Sequence, residues 1–431
     1  MSFNQKDFHN MKHCLEQVSK FPLLSALMGR RSRRFSAGAH IESGPFAFKS
    51  TKNVQPLTEI ERSLIISTMA GNTGWSHLIP FNKKYTPYLP NYAGSATGRV
   101  FPSAAGFQTT DLFFTDDSGV YYLSTRDSFP TKYNQMAAEI DLENYLKQSD
   151  SSFQKISNER LQIPQKEPHI ESHNLWVTNT PGSLLAIPVV DLAQHVLLAL
   201  CYLVQNGYGI IDDINKQVIP GLEKFDRMID LNSPFPLSFL DQQCLGEATV
   251  ELSVSCFAGT LMLQAMGLGG WMYDGINPIS IFGVSGDPNN KGLGFQADTR
   301  EDWNFPNPTG IKGVFETKCP PYYLRMKDAV KSVVNRKFGK GGPFSETTSG
   351  PWKNTEKIRT SAAPHTEEFI ECVSIMAQYI YDTFGKFPAT VPSAYCLMYL
   401  QAFHLDTEFY DHFYKEGSYL QTHADHQKKW H

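Results

Sequence analysis

A chain of 431 residues, 41% of them hydrophobic, is long enough to bury a large core as one elaborated domain or as two or three domains. Its 39 lysine and arginine residues nearly balance 43 aspartate and glutamate residues, and the formal charge is −4. This balance argues against a general nucleic-acid-binding protein, so any anion binding must be local.

Cysteine usage and hydropathy indicate a cytoplasmic protein without a membrane span. The seven cysteines are scattered and odd in number, which is typical of reduced thiols in a core. Charged residues interrupt the first thirty positions, so no secretory signal is predicted. The longest apolar run, 184–204, contains Asp191 and His195 and fits a buried strand followed by a helix that Asp191 caps.

The remaining elements follow from periodicity and from start and stop signals. In chain order, the sequence predicts an amphipathic stretch at 11–28, a helix from 56–59 to about 70, an irregular segment at 71–98, a hairpin of strands 111–115 and 120–124, helical spacing at 135–147, a polar surface loop at 148–173, a helix at 248–266, a β-type run at 279–284, and helices at 323–337, 367–384 and 393–403.

The run Arg30–Arg34 places four guanidinium groups around the hydroxyl of Ser32. Arginine presents a planar fork of donors that matches phosphate oxygens, and a serine hydroxyl adds a further donor. Taken alone, the run fits a solvated basic surface as well as it fits a phosphate site. Because alternate residues of an extended strand face opposite ways, only some of the four arginines are expected to reach one ligand.

A second segment, Gly98–Gln108, is a turn rich in small residues that leads directly into the first hairpin strand. Small residues keep side chains out of the way, so backbone amides in such a turn can meet a flat or anionic ligand. An ordinary tight loop before a strand is the alternative.

These motifs resemble the nitroreductase superfamily of flavin enzymes, especially the branch of dehydrogenases that oxidise azoline rings in modified peptides. The run Arg30–Phe35 is similar to the arginine–serine motif that holds the FMN phosphate. Pro102–Gly106, followed by Gly119–Tyr122, is similar to the PSAGG segment that lines the flavin, although Ala105 stands where that branch usually has glycine. Leu261–Gly270 is similar to the helix that ends in a Gly-Leu-Gly turn beside the isoalloxazine.

The resemblance implies an α+β fold with a central, mostly antiparallel or mixed sheet flanked by helices, and a homodimer with FMN at the subunit interface. Backbone amides of the glycine turn would then contact ring oxygens or N5. The implied cofactor-binding residues are Arg30, Arg31, Ser32, Arg34, Pro102, Ser103, Ala104, Gly106, Gln108, Leu268, Gly269 and Gly270, with Arg336, Lys337 and Lys340 as further basic candidates.

The implied activity is FMN-dependent two-electron transfer to or from a small molecule, with NAD(P)H as a candidate reductant and no catalytic side chain assigned. Two alternatives stay open: a flavin-dependent dehydrogenase of a peptide or biosynthetic intermediate, and a cofactor-free binding protein that retains the fold. The implied division of the chain is a helical lead at 1–24, the two parts of the nitroreductase-like domain at 25–134 and 241–345, an insertion at 135–240, and a helical extension at 346–431.

The C-terminal segment 404–431 concentrates histidines and carboxylates. His423 and His426 lie three residues apart, so a helix would place both on one face, with an Asp or Glu as a third ligand. No complete zinc spacing is present, which favours structural histidines, and no metal site is predicted.

Overall fold

The computed structural model describes residues 5–77, 88–91, 94–126, 142–143, 145–146 and 152–431. Within these ranges the helices are α1 Gln5–Ser19, α2 Leu23–Gly29, α3 Glu59–Ala70, α4 Leu192–Gln205, α5 Leu237–Met266, α6 Pro278–Phe282, α7 Met326–Phe338, α8 Thr355–Thr360, α9 Glu367–Phe384, α10 Thr407–Phe413 and α11 Gln421–Trp430. The strands are β1 His40–Ile41, β2 Phe48–Lys49, β3 Asn72–Trp75, β4 Thr97–Arg99, β5 Thr110–Asp116, β6 Gly119–Leu123, β7 Gln154–Ser157, β8 Leu184–Asp191, β9 Tyr208–Asp212, β10 Gln217–Val218, β11 Asp230–Pro236, β12 Gly269–Tyr273, β13 Gln296–Asp298, β14 Asn307–Ile311, β15 Phe315–Glu316, β16 Ala394–Tyr395 and β17 Tyr399–Phe403.

A seven-stranded sheet forms the centre of the described residues. Its order is β12-β17-β8-β5-β6-β7, and β16 also pairs with β8. Every pairing in this sheet is antiparallel. The α+β class is therefore confirmed. Strands from 25–134, 135–240, 241–345 and 346–431 all enter this one sheet, while the proposed segment boundaries stay a prediction.

Both faces of the central sheet are buried, and β5 shows how one strand serves both. Leu112 and Phe114 join the apolar cluster that contains α3 and the second half of α5. Phe113, between them, joins the cluster on the opposite face with Phe282 of α6. Side chains alternate across a strand, so a continuous apolar run is the expected pattern for a strand covered on both faces.

The best local signals in the sequence are confirmed. The carboxylate of Asp191 accepts from the backbone N–H of Gln194 at 2.8 Å and caps α4. Thr58 and Glu61 form a reciprocal capping box at the start of α3. The hairpin β5–β6 and the helix α9 lie where they were expected. The helical spacing predicted at 135–147 falls largely outside the described residues.

Two predicted elements are wrong in type. Residues 279–282 of the β-type run 279–284 lie in the short helix α6, because Asn277 caps it through the N–H of Ile279 and proline occupies its first turn. The predicted helix 393–403 contains strands β16 and β17 instead. A short apolar run does not distinguish a buried strand from a buried helix, and here pairing with β8 and β12 decides.

Two other predictions have the wrong extent. Helix α5 begins at Leu237, well before the predicted start at residue 248, and runs for 30 residues. The polar segment 148–173 contains strand β7, which pairs with β6, so it is not only a surface loop. By length and composition α5 is apolar enough to cross a membrane, a property that core helices of soluble proteins share, and half of that apolar window is buried in the fold.

Candidate functional site

The arginine run and the glycine turn after α5, two of the three motifs, meet in the fold. Arg33 and Gly270 form an isolated antiparallel bridge, in which the backbone N–H of Gly270 donates to the carbonyl oxygen of Arg33 at 2.8 Å. The segment of the arginine run thereby extends the edge of the central sheet beside β12. The resemblance implied that both motifs border one ligand, and the fold does make them neighbours.

Arg33 itself points into the protein and is only 3% exposed. Its guanidinium donates to the side-chain oxygen of Gln264 at 2.8 Å and to the carbonyl oxygens of Ser418 at 2.9 Å and Gly29 at 3.2 Å. Burial lowers the pKa of Arg33 to about 10. This arginine therefore holds the segment in place and is not available to a phosphate.

Of the other arginines, Arg34 is exposed and Arg30 is half-buried. Alternation along an extended strand accounts for Arg33 and Arg34 but not for Arg31, which is exposed although it has the same parity as Arg33. The guanidinium carbon of Arg34 lies 4.7 Å from the ring centre of Trp271, and that of Arg30 lies 5.8 Å from the ring centre of Phe257. Among the described residues neither arginine has an ion-pair partner. Two cationic groups without carboxylates, placed over aromatic rings, form a surface suited to a phosphorylated flat ligand.

Arg31 and Ser32 are also exposed. One guanidinium nitrogen of Arg31 donates to the carbonyl oxygens of Met28 at 3.1 Å and of Arg30 at 2.7 Å, so this side chain folds back on its own segment. Its share in a phosphate site would require it to leave those carbonyls.

An exposed apolar surface adjoins the arginine run. In α2 only Ala26 is buried, while Leu23, Leu24 and Met28 are each about two-thirds exposed or more. Along α5, Val250 is 49% exposed, and the half-buried positions that continue this face are Ser253, Val254, Phe257, Ala258 and Leu261. Contiguous exposed apolar surface of this kind marks an interaction site.

The glycines after α5 are required by the chain itself rather than by a ligand. Gly267 has φ +82°, and a Cβ atom there would lie 2.1 Å from the carbonyl oxygen of Thr422 in α11. A Cβ atom at Gly270 would lie 2.2 Å from the carbonyl oxygen of Gln401 in β17. The space beside these glycines is filled by the protein's own backbone.

The expected role of the backbone amides in this turn is corrected for two of the three residues. The N–H of Leu268 donates to the carbonyl oxygen of Leu263 at 3.0 Å, and the N–H of Gly270 donates to Arg33. Each amide has a single hydrogen to donate. Leu268 and Gly270 therefore do not offer free donors to flavin oxygens or N5.

The small-residue turn is fastened by a buried carboxylate, Glu251 of α5, which the sequence did not single out. The hydroxyl of Ser103 donates to Glu251 Oε1. Glu251 Oε2 accepts from the backbone N–H of Thr109 at 3.1 Å and from the hydroxyl of Thr110 at 2.6 Å. Ser103 also accepts from the N–H of Gln108 at 2.7 Å. The Ser103 hydroxyl thus shapes the turn instead of facing a ligand.

The backbone of this turn is sharply bent. Ala105, Gly106 and Gln108 have φ values of +47°, +66° and +49°, in the left-handed region that favours glycine. Pro102 and Ala105 are exposed, and Ala104 is half-buried. The side-chain oxygen of Gln108 is buried and has no hydrogen-bond partner among the described residues. The turn presents small residues at the surface, as expected, but at a cost in backbone strain.

The further basic candidates, Arg336, Lys337 and Lys340, lie at the end of α7 or just after it, and Arg336 contacts this same turn. The guanidinium of Arg336 donates to the carbonyl oxygens of Phe107 at 2.6 Å and Gln108 at 2.8 Å. Lys337 is buried and donates to the carbonyl oxygen of Asn91 at 2.8 Å, and burial lowers its pKa to about 8. Lys340 lines a cavity of about 200 Å³ with Arg336. Arg336 and Lys337 therefore act within the fold.

Within one chain the small-residue turn and the arginine run contact different levels of α5. Ser103 reaches the helix at Glu251, whereas Arg30 lies over Phe257 and Arg33 bonds to Gln264. At 1.5 Å per residue, Gln264 is about 20 Å along the axis from Glu251. The structure thus brings the arginine run and the glycine turn together and leaves the small-residue turn apart from them.

No model of a known protein family matches the chain, and no curated protein matches it either. Among solved structures, one from Ralstonia eutropha JMP134, described as that of a candidate nitroreductase, is similar over 60% of this chain and 72% of its own, with 13% sequence identity and a TM-score of 0.29. A similarity at this TM-score does not establish a shared function, so the proposed function depends on the residues of the site.

Proposed function

We propose that this protein is an FMN-dependent oxidoreductase with a nitroreductase-like fold that transfers two electrons to or from a small molecule. The observation that carries the proposal is the pairing of Arg33 with Gly270, because it joins two of the motifs implied to hold FMN. Beside this pairing, the exposed Arg34 and the half-buried Arg30 each lie over an aromatic ring. In this proposal they grip the phosphate, with Ser32 as a further donor.

Bound FMN would supply the hydride chemistry, and the protein would supply position and charge. The arginine part of the site fits such a group, since two guanidinium groups lie unpaired with carboxylates. The glycine turn fits less well, because the amides of Leu268 and Gly270 are already used. Ring contacts would then come from elsewhere on this surface or from a second copy of the chain.

A homodimer would bring the small-residue turn of one copy to the arginine run of the other. Residues 251 and 257 lie symmetrically about Val254, which is half-buried on the apolar face of α5. If two copies of α5 pack antiparallel about a two-fold axis at Val254, the level of Glu251 in one copy faces the level of Phe257 in the other. The Ser103 turn of one copy would then approach the arginine run of its partner.

One observation favours a second candidate function, a cofactor-free binding protein with the same fold. The hydroxyl of Ser103 and the amides of Leu268 and Gly270 are all satisfied within the chain. A site that had lost its ligand would show this internal closure. A flavin-dependent dehydrogenase of a peptide or biosynthetic intermediate stays a further alternative within the enzyme class.

The absorbance spectrum of the purified protein tests the proposal, as isolated and after incubation with FMN and removal of free flavin. Flavin bands that remain with the protein support both enzyme functions. Their absence after reconstitution contradicts both and favours the binding protein. Anaerobic addition of NAD(P)H then separates the enzyme functions, because bleaching of the bands is expected of a reductase and not of a dehydrogenase that takes electrons from its own substrate.

A further inference from the structure

Four side chains that are distant in sequence meet between α3, β17 and α11. Glu61 comes from the first turn of α3, His404 follows β17, and His426 and His431 lie in and just after α11. The Oε1 atom of Glu61 is 3.3 Å from Nε2 of His404, 2.9 Å from Nε2 of His426 and 3.5 Å from Nε2 of His431. Their ligand atoms all lie within 4.8 Å of one another.

These distances suit a bound ion. A tetrahedral ion about 2.1 Å from each ligand atom holds its ligands about 3.4 Å apart. The separations of the three imidazole nitrogens from Glu61 Oε1 range from 2.9 to 3.5 Å, close to that value. The imidazole nitrogens lie within 4.8 Å of one another, so the side chains would have to draw together by at most about 1.4 Å per pair to hold an ion at the centre.

A carboxylate–imidazole hydrogen-bond cluster is the alternative, and the contacts of His404 Nε2 with Glu61 Oε1 at 3.3 Å and Oε2 at 3.4 Å fit it. The geometry of His426 favours the ion. Its Nε2 atom is 2.9 Å from Glu61 Oε1, yet it is buried and makes no hydrogen bond among the described residues. Its Nδ1 atom lies 2.8 Å from the carbonyl oxygen of Met266, which can only accept. Nδ1 therefore carries a proton, and in the neutral imidazole Nε2 presents the lone pair that a metal requires.

The carboxylate of Glu61 is also held in place by hydrogen bonds. Glu61 Oε2 accepts from the backbone N–H of Thr58 at 2.7 Å and from its hydroxyl at 2.9 Å. Oε1 faces His426 and His431, and His404 lies near both oxygens. Glu61 is fully buried, and His404 and His426 are each 5% exposed. The side chain of His431 is 14% exposed and gives an ion a route from solvent.

We propose that Glu61, His404, His426 and His431 bind a divalent transition-metal ion, with Zn²⁺ as the expected occupant. Three imidazoles and one carboxylate in a tetrahedral arrangement suit Zn²⁺, and four protein ligands leave no position for a substrate. The ion is structural. It closes the long loop between α3 and the C-terminal helix, much as a disulfide would.

Of the two histidines noted in the sequence, His423 and His426, only His426 belongs to the proposed metal site. His426 is a ligand, but Nδ1 of His423 accepts from the backbone N–H of Leu420 at 3.2 Å, and burial lowers the pKa of His423 to about 3. The expected absence of a metal site depended on spacing within 404–431. That spacing could not reveal Glu61, which lies far away in the sequence.

The ion would hold α11 against the end of α5. The hydroxyl of Thr422 in α11 donates to the carbonyl oxygen of Gln264 at 2.7 Å, and His426 donates to Met266. Just before α11, the carbonyl oxygen of Ser418 accepts from Arg33. The proposed metal site therefore supports the segment that carries the arginine run, but it does not depend on flavin binding.

Metal content of the full chain, purified with any affinity tag removed, is the first test. Elemental analysis should find about one zinc per chain. After removal of the ion with a chelator, titration with Co²⁺ should produce the visible absorption bands of a four-coordinate Co²⁺ ion, and Zn²⁺ should abolish them. If the wild-type chain holds no stoichiometric metal and shows no Co²⁺ bands, the proposal is wrong.

Variants then assign the ligands. His431→Ala removes the ligand nearest the surface, and Glu61→Gln keeps a side-chain oxygen for the capping box with Thr58. Each should weaken Co²⁺ binding by about 100-fold or more. His412→Ala is the matched control, because His412 is exposed on α10 and should bind as wild type. Wild-type affinity in both ligand variants would overturn the assignment, and the wild-type titration does not depend on either variant folding.

Discussion

The backbone N–H of Gly270 donates to the carbonyl oxygen of Arg33, and the side chain of Arg33 is buried against the end of α5. One residue thus fixes the arginine run in two ways, through its backbone to β12 and through its guanidinium to Gln264. Arg34 is exposed and Arg30 is half-buried beside this anchor. The proposed phosphate grip depends on this anchoring.

Gly267→Ala should destabilise the protein strongly, and Gly294→Ala is its matched control. Both glycines have φ near +80°, so each alanine costs about 1 kcal/mol of backbone strain. Only at Gly267 does the new Cβ atom collide with the backbone of Thr422, whereas nothing lies within 4 Å of it at Gly294. Gly267→Ala should therefore lose at least about 2 kcal/mol more in the free energy of unfolding.

Chemical denaturation of the two glycine variants at equal protein concentration measures this difference. Equal losses would mean that α11 does not pack on Gly267 as described.

Glu251→Gln should loosen the small-residue turn. The carboxylate accepts hydrogen bonds from Ser103, Thr109 and Thr110 through its two oxygens in a buried setting. The glutamine amide has only one oxygen, and its NH2 group cannot accept, so at least one of these hydrogen bonds is lost. We expect a loss of about 2 kcal/mol in unfolding free energy. Glu247→Gln, one turn earlier and half-buried, should lose less. A larger effect at Glu247 would contradict the account of the turn.

Lys337 predicts a pH dependence of stability. Burial lowers its pKa to about 8 from 10.5. Between these values the unfolded chain holds a proton that the folded chain lacks, so stability from this group rises with pH, by at most about 1.4 kcal/mol per unit. Below about pH 8 both states are protonated, and the full cost of burying the charge is present.

The Lys337→Met variant isolates this contribution. The difference in unfolding free energy between wild type and variant should shift in favour of wild type between about pH 8 and about pH 10, and it should be constant below that range. A difference that does not change with pH would show that Lys337 is not buried as a titrating group.

The proposed dimer predicts that a charge on the exposed face of α5 separates the copies. Val250→Asp should shift the protein from dimer to monomer in light scattering coupled to size-exclusion chromatography, because a buried unpaired carboxylate is costly at an interface. Val218→Asp, on the exposed strand β10, should leave the oligomeric state unchanged. If the wild-type chain is monomeric at all concentrations, the Ser103 turn of one copy cannot approach the arginine run of a partner, and the proposed dimer is excluded.

Local signals in the sequence predicted many of the local elements but not all of them, since 279–284 and 393–403 were assigned the wrong type. The Asp191 cap, the helix start near Thr58 and the hairpin turn each act within four residues, so composition and spacing predict them. The capping box that Glu61 adds at Thr58 was not predicted. The alternation that buries Arg33 and exposes Arg34 follows from strand geometry. Where two local signals competed, as at Asn277 before a β-branched run, the helix cap prevailed.

Contacts between distant segments could not be derived from the sequence. Nothing in the spacing of residues pairs Arg33 with Gly270, Ser103 with Glu251, or Glu61 with His426, because each contact is created by the packing of α5 and α11. Motif resemblance anticipated only the first. The other two involve buried carboxylates whose surroundings are known only from the fold.

FMN binding by arginine variants tests the central claim most directly. The double variant Arg30→Ala/Arg34→Ala and the control Arg325→Ala are titrated with FMN alongside wild type. Arg325 is a largely exposed arginine elsewhere on the surface that pairs with Asp328. Loss of two charge-assisted contacts should weaken binding by about 100-fold, while the control binds as wild type. Wild-type affinity in the double variant would contradict the proposed phosphate grip.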